Sequence, residues 1–272
     1  SFPIGSQLTV TAGPRVGQED MLAIWPSFYP SDAILDVLTL NGAPAAYNKN
    51  LGAGAGIRWD APTGFRLAAN YVAANGSRSS TSEGGIATKH AGSTGTVQIG
   101  YAREEWTLAA IYTAIQNGDD LITYASPFTQ ASLSNKGMTH AFGLGGSWQV
   151  LDEHWIPSIS AGWGINVSDA SHNGDVQTTQ SWTAGLEWDN IFMEGTSVGI
   201  AVGQPVFATD LKGDDTPNDG QFIWEAWLQV NVTDAITVTP ALFYLSRPLG
   251  QDTPRGETFQ QLGGLAKVTF SF

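Results

Sequence analysis

Between Thr96 and Ile115 the chain alternates strictly: Val97, Ile99 and Tyr101 are interleaved with Thr96, Gln98 and Gly100. After a turn at residues 102–105, Trp106, Leu108, Ala110 and Tyr112 alternate with smaller residues. A period of two on both sides of a tight turn predicts a β-hairpin with one apolar and one polar face. The unit recurs at 140–167, with Phe142, Leu144 and Trp148, then Trp155, Ile159, Ala161 and Trp163. It recurs again at 182–202 and 222–244, and near the start Ala55, Ile57 and Trp59 lead through 60–64 into Phe65, Leu67, Ala69 and Tyr71. With Leu8–Ala12 in front and Phe259–Phe272 behind, about twelve strands are expected, each near the ~10 residues that a tilted membrane strand requires.

The connections sort by length. Short turns are expected at 60–64, 102–105, 151–154, 189–195 and 232–235, and the intervening loops are long and polar. A soluble sandwich has no reason to sort its loops this way, whereas a membrane barrel has two different sides. Aromatic residues mark the strand ends: Trp59, Phe65, Tyr101, Trp106, Trp148, Trp155, Trp188 and Phe192 flank short turns, and Phe270 and Phe272 end the last strand. Tyr71, Tyr112, Trp163, Trp182, Phe222 and Tyr244 stand at the opposite ends. Amphipathic rings settle at membrane interfaces, so two girdles are expected. The terminal Phe272 is read as the assembly signal.

The other parity is polar. Arg58, Arg66, Asn70, Gln98, Glu187, Glu225, Gln229 and Lys267 fall opposite the apolar set, with Trp227 as the main inward aromatic. A dry core would not hold these groups without partners, since each unsatisfied burial costs several kcal/mol. They are therefore expected to line a water-filled passage.

Composition then removes alternatives. With 42% hydrophobic residues over 272 positions the chain is no disordered tail, and its apolar runs are far shorter than the roughly 20 residues of a spanning helix. The absence of Cys removes disulfides, thiolate nucleophiles and Cys-based zinc sites together. A net charge of −13 opposes nucleic-acid binding. His90, His140, His154 and His172 are scattered without metal-ligand spacing or a paired serine, so no catalytic residue, metal or cofactor is expected. The acidic stretch 210–220 fails the spacing of a calcium loop, because Pro217 stands where a ligand belongs and no Glu closes it.

The segments GPRVGQEDMLAIWPS at 13–27, LGAGAGI at 51–57 and AANYVAANG at 68–76, with the terminal Phe272, make the chain resemble the cyanobacterial major outer-membrane porins, of the OprB-type carbohydrate-selective family. That resemblance implies passive diffusion of ions and small hydrophilic solutes through homotrimeric barrels of about sixteen strands in outer-membrane lipid. It also implies an amino-terminal segment that holds peptidoglycan. The chain starts at Ser1 and lacks that segment, so 1–272 is expected to be one porin β-barrel domain without the anchor and the early strands, and peptidoglycan contact is not assigned to it. A sugar-selective channel and a structural barrel tying the membrane to the cell wall are the alternative readings.

Selectivity is expected from two features. The connection from Pro14 to Asn50 carries Met21–Trp25 and Leu35–Leu38, apolar pieces that would be unfavourable in water. It is expected to fold inward and narrow the passage, with Arg15, Glu19 and Asp20 as the charged rim; packing on a neighbouring subunit is the other outcome. The wall charges nearly balance, while Asp119, Asp120, Asp175, Asp210, Asp214, Asp215 and Asp219 place acid in the loops. Negative rims favour cations weakly and lose the effect in salt, although acidic loops also serve solubility and lipid bridging.

Overall fold

A computed structural model describes residues 1–30, 33–118, 121–122, 124–133, 137–150, 155–213 and 216–270. The strands are β1 (Phe2–Ile4), β2 (Leu8–Gly17), β3 (Leu51–Asp60), β4 (Phe65–Ala73), β5 (Ser93–Ala102), β6 (Trp106–Gln116), β7 (Met138–Trp148), β8 (Ser158–Ser168), β9 (Val176–Asp189), β10 (Thr196–Leu211), β11 (Phe222–Thr233), β12 (Ile236–Ser246) and β13 (Gln260–Phe270). They form one antiparallel sheet in which each strand pairs with its neighbours in sequence. The architecture is all-β and up-and-down.

Three details differ from expectation. β1 is an additional strand, paired with β2 through a turn at Gly5, whose φ of +66° suits glycine. β2 runs on to Gly17 past a register shift between Gly13 and Val16, so Pro14 and Arg15 belong to a strand and not to the long connection. β10 likewise passes Pro205 by register shifts and includes Asp210. A bulge admits proline because it frees that position from the ladder. A short helix, α1 (Pro127–Leu133), also lies in the connection between β6 and β7.

The sheet is not a closed barrel. β1 and β13 stand at its two edges, and as the first and thirteenth strands of an alternating sheet they run in the same direction. Pairing them would make a parallel ladder, so this sheet does not close antiparallel upon itself.

The two faces have opposite chemistry. Ile99 opposes Leu67 and Ala110, and Ala110 opposes Leu144; these partners share one face, where Ile99 is 52% and Leu144 56% exposed. One residue along, Gln98 opposes Ala68 and Ile111, and all three are buried. An apolar band, exposed on most of the strands, is what a lipid-facing wall presents. Its rims carry ring pairs between strands, four across neighbouring strands and one, Trp182–Phe222, spanning β10. Phe65–Tyr101 and Trp106–Trp148 lie near the short turns, and Tyr112–Phe142, Trp182–Phe222 and Trp224–Tyr244 toward the other end, with centroids 5.0–6.4 Å apart. Arginine at Leu144 will cost about 2–4 kcal/mol in urea titrations of the protein in phospholipid vesicles, as expected for a charge at mid-bilayer depth. Arginine at the inward Gln229 will cost less than about 0.5 kcal/mol.

Candidate functional site

The described residues of the 18–50 connection, 18–30 and 33–50, leave the end of β2, cross the inward face of the sheet and return to β3. The apolar pieces drive this. Met21, Leu22, Ala23 and Ile24 are buried, as are Val37 and Leu38 in a turn of 3-10 helix at Asp36–Thr39. An irregular segment in such a place has backbone groups that no ladder satisfies, and each must find a partner. The wall supplies them. The Oε1 atom of Gln98 accepts the N–H groups of Ala23 and Ile24, each at 3.0 Å, and its Nε2 donates to the Ile24 carbonyl at 2.8 Å. Ser160 Oγ accepts from Phe28 N–H at 2.8 Å, and Ser181 donates to the Gly42 carbonyl at 2.8 Å. Within the segment, Gln18 ties both arms together: Nε2 donates to the Ala46 carbonyl at 2.7 Å, and Oε1 accepts from Lys49 N–H at 3.1 Å.

Glu225 makes the most concentrated clasp. Its side chain is fully buried; one carboxylate oxygen accepts the Tyr29 hydroxyl at 2.7 Å and the other the Leu35 N–H at 2.6 Å. The indole N–H of Trp227 donates to the Tyr29 oxygen at 3.0 Å, which orients that hydroxyl toward the carboxylate. Burial, then the neighbouring Glu225 charge, pushes the Tyr29 phenol far above its ordinary range, so it remains a donor.

Small wall residues make room for the segment. A Cβ on Gly162 would lie 1.8 Å from the Asn41 carbonyl oxygen, and one on Gly185 would lie 2.7 Å from the Tyr29 ring. Glycine at these wall positions seats a second layer of chain. Above it Ala43, Ala45, Ala46 and Tyr47 pack with Leu22, with the wall residues Ile111, Ile115, Ala141 and Val206, and with Ile122 and Ala125 from the 117–137 connection. That connection is also tied down by charge. The Tyr124 hydroxyl donates to Asp36, and burial together with this carboxylate pushes Tyr124 up to about 12. Asp36 also faces the Lys49 ammonium at 3.6 Å.

No family model matches the chain, and no curated protein matches it. Among solved structures it is similar to OprB of Pseudomonas putida, with 17% identity over 97% of this chain and 70% of that one at a TM-score of 0.61. It is similar to the outer-membrane expressed OmpT of Vibrio cholerae, with 8% identity over 98% and 78% at 0.60. The anion-selective porin from Comamonas acidovorans gives 10% identity over 86% and 65% at 0.57, so the chain spans about two thirds of that porin's length. The fold is that of outer-membrane β-barrels. At these identities the likeness is one of fold alone.

Within that fold the residues singled out from the sequence scatter. Glu19 and Asp20 open the inserted segment and are exposed; Asp20 borders a cavity of about 160 Å³ with Thr9, Thr11 and Arg58. Arg15 is exposed on β2 and is not part of the segment. Arg58 and Arg66 flank Asp60 at 2.9 and 3.6 Å, and Arg66 reaches the Ala23 carbonyl at 3.4 Å. Glu187, Gln229 and Lys267 face inward and are partly exposed. Asn70, Gln98, Glu225 and Trp227 also face inward, yet they lie beneath the segment and not open to water. Asp219, read as part of an acidic rim, is fully buried. Its carboxylate accepts from the Thr129 hydroxyl and the Ala208 N–H at 2.7 Å and from the Gln251 N–H at 2.9 Å, joining three connections. Phe272, Asp119, Asp120, Asp214, Asp215 and His154 lie outside the described residues. Tyr29, Ser160 and Asp36 were missed. Their only sequence signal is indirect: apolar pieces in a long connection that must find a wall.

Proposed function

We propose that the chain forms most of the wall and the constriction of an outer-membrane porin, through which ions and small hydrophilic solutes diffuse down their gradients. The observation that carries this reading is the two-faced sheet, apolar and exposed on one side, polar and overlaid by an inserted segment on the other. In hydrocarbon an open strand edge is costly, so closure requires further strands, and their number must be odd for β1 and β13 to be joined antiparallel. Three more would give the sixteen-stranded barrel of OprB-type porins, assembled as trimers. No chemical step is involved; solutes are selected by width and charge.

The sugar-selective alternative is the weaker one. Sugars are held by aromatic faces lining a lumen, and the inward Trp227 is covered by Tyr29. In planar bilayers the full-length protein will conduct, and millimolar sugars will leave the conductance unchanged. Across a tenfold salt gradient the reversal potential will show a weak cation preference that fades as salt rises. Sugar block at those concentrations, or anions passing more readily, counts against these two details; electrically silent protein counts against the porin itself.

A further inference from the structure

The lipid-facing side of the sheet carries a hollow. Phe65, Tyr101, Leu108, Gly146, Ala161 and Ala184 oppose one another in turn across β4 to β9 and form one row of that face. From Gly146 onward this row is low, while Leu144, Trp163 and Trp182 stand tall in the row beside it. Between the rows lies an open apolar groove of about 750 Å³. The row is not level. Phe65 is the first residue of β4 and Tyr101 the last but one of β5, and Leu108 and Gly146 stand two residues in from the short-turn ends of β6 and β7. Ala161 stands three in on β8 and Ala184 five in on β9. The groove therefore climbs from the rim at the short turns to about 16 Å along the strand, at ~3.3 Å per residue. That is about half of a ~30 Å hydrocarbon core, the reach of a single leaflet.

At its low end the groove meets a cation. Arg103, on the exposed turn between β5 and β6, donates from Nε to the Tyr101 hydroxyl at 3.1 Å, and its guanidinium carbon lies 5.8 Å from the centre of that ring. Tyr101 lines the groove, so an amphipathic ring suited to the membrane interface holds the cation at the groove's mouth. Among the described residues the guanidinium pairs with no carboxylate. Its planar fork matches two oxygens of a phosphate. Glu104 and Glu105 follow on the same exposed turn, so a headgroup with a cation beside its phosphate meets both signs of charge. We propose that Arg103 and the groove form a binding site for one glycerophospholipid of the periplasmic leaflet, with the phosphate on the guanidinium and an acyl chain laid across β5 to β9. An unfilled hollow forfeits the contacts of its lining, and a chain tethered by its headgroup at the mouth enters at a high effective concentration. The site needs the apolar face to meet lipid; it does not need the lumen to conduct.

The full-length protein in mild detergent is mixed with dioleoyl phosphatidylethanolamine or with dioleoylglycerol, which has the same chains and no phosphate, and retained lipid is read by native mass spectrometry. Expected is retention of the phospholipid at least about fivefold stronger than that of the diacylglycerol. Arg103→Gln removes the charge and Ala161→Trp fills the groove; each will lower phospholipid retention by about fivefold or more, and Arg103→Lys will keep more than Arg103→Gln. Both positions are exposed, and a sheet signal in circular dichroism equal to the parent's shows that the variants are folded. Equal retention of the two lipids, or retention unchanged in either Arg103→Gln or Ala161→Trp, overturns the site. Displacement of the lipid by inorganic phosphate alone overturns it too, since the cation then reads a free anion. A second copy seated in the groove is the other occupant: an oligomer that falls apart in Ala161→Trp with lipid retention unchanged overturns the lipid site in its favour. Conductance in planar bilayers is measured on the same preparations, and lipid retained by protein that never conducts leaves this site standing while removing the porin reading.

Discussion

Valine in place of Gly162 will push the inserted segment off the wall and cost about 3 kcal/mol, near the upper end of ordinary overpacking penalties. The reason is local and steric. A single added Cβ would meet the Asn41 carbonyl oxygen at 1.8 Å and its carbon at 2.5 Å, both backbone atoms that no rotamer change can move. The facing residue, Gly42, is equally constrained: it adopts φ +67°, and its own Cβ would fall 2.0 Å from the Gly162 carbonyl oxygen. Two segments touch here through backbone alone, so even Gly162→Ala will be destabilising. Gly95 is the control, since a Cβ there meets nothing within 4 Å; Gly95→Ala will be neutral or slightly stabilising. Urea unfolding in detergent micelles reads the difference. A Gly162→Val protein as stable as the parent would mean that the segment does not rest on β8.

Loss of the Glu225 carboxylate will be the second large effect. Glu225→Ala deletes the acceptor of both Tyr29 and Leu35, leaving a buried hydroxyl and a part-buried N–H unsatisfied, and each such orphan costs about 1–3 kcal/mol. A total of about 3 kcal/mol is expected, with faster proteolysis within residues 26–36. Glu225→Gln will cost less, because its amide oxygen still accepts from one donor while its NH₂ opposes the other. Tyr29→Phe will fall between them, since it removes the hydroxyl and also orphans the Trp227 indole N–H. If alanine and glutamine behave alike at position 225, the carboxylate is not holding the segment.

Both effects concern contacts that periodicity cannot reveal. Gln98 and Glu225 were recognisable as inward-facing polar residues, and a polar inward face suggested water. In the folded chain the partners of these two residues are backbone groups of residues 23–24 and 35, together with a phenol, so their polarity serves a second layer of protein. The same ambiguity applies to glycine: in an alternating strand it reads equally as curvature or as clearance for something close by. The inserted segment was legible in outline, because Met21–Trp25 and Leu35–Leu38 are too apolar to remain in water. Arg15 lies on β2 beyond the bulge and not in the segment, and the Asp36–Lys49 ion pair was not singled out from the sequence.

Alternation along each strand, the order of the hairpins, the sorting of short and long connections and the aromatic ends were written in the sequence itself. They arise from neighbours a few residues apart, since a pleated strand turns successive side chains to opposite sides whatever surrounds it. The seat of the inserted segment and its clasp at Glu225 were decided only by the tertiary structure. Tyr29 and Glu225 stand 196 positions apart, and Ala23 and Gln98 stand 75 apart. Contacts at such separations exist only once every intervening strand has taken its register, and no local pattern of residues encodes which two of them will meet.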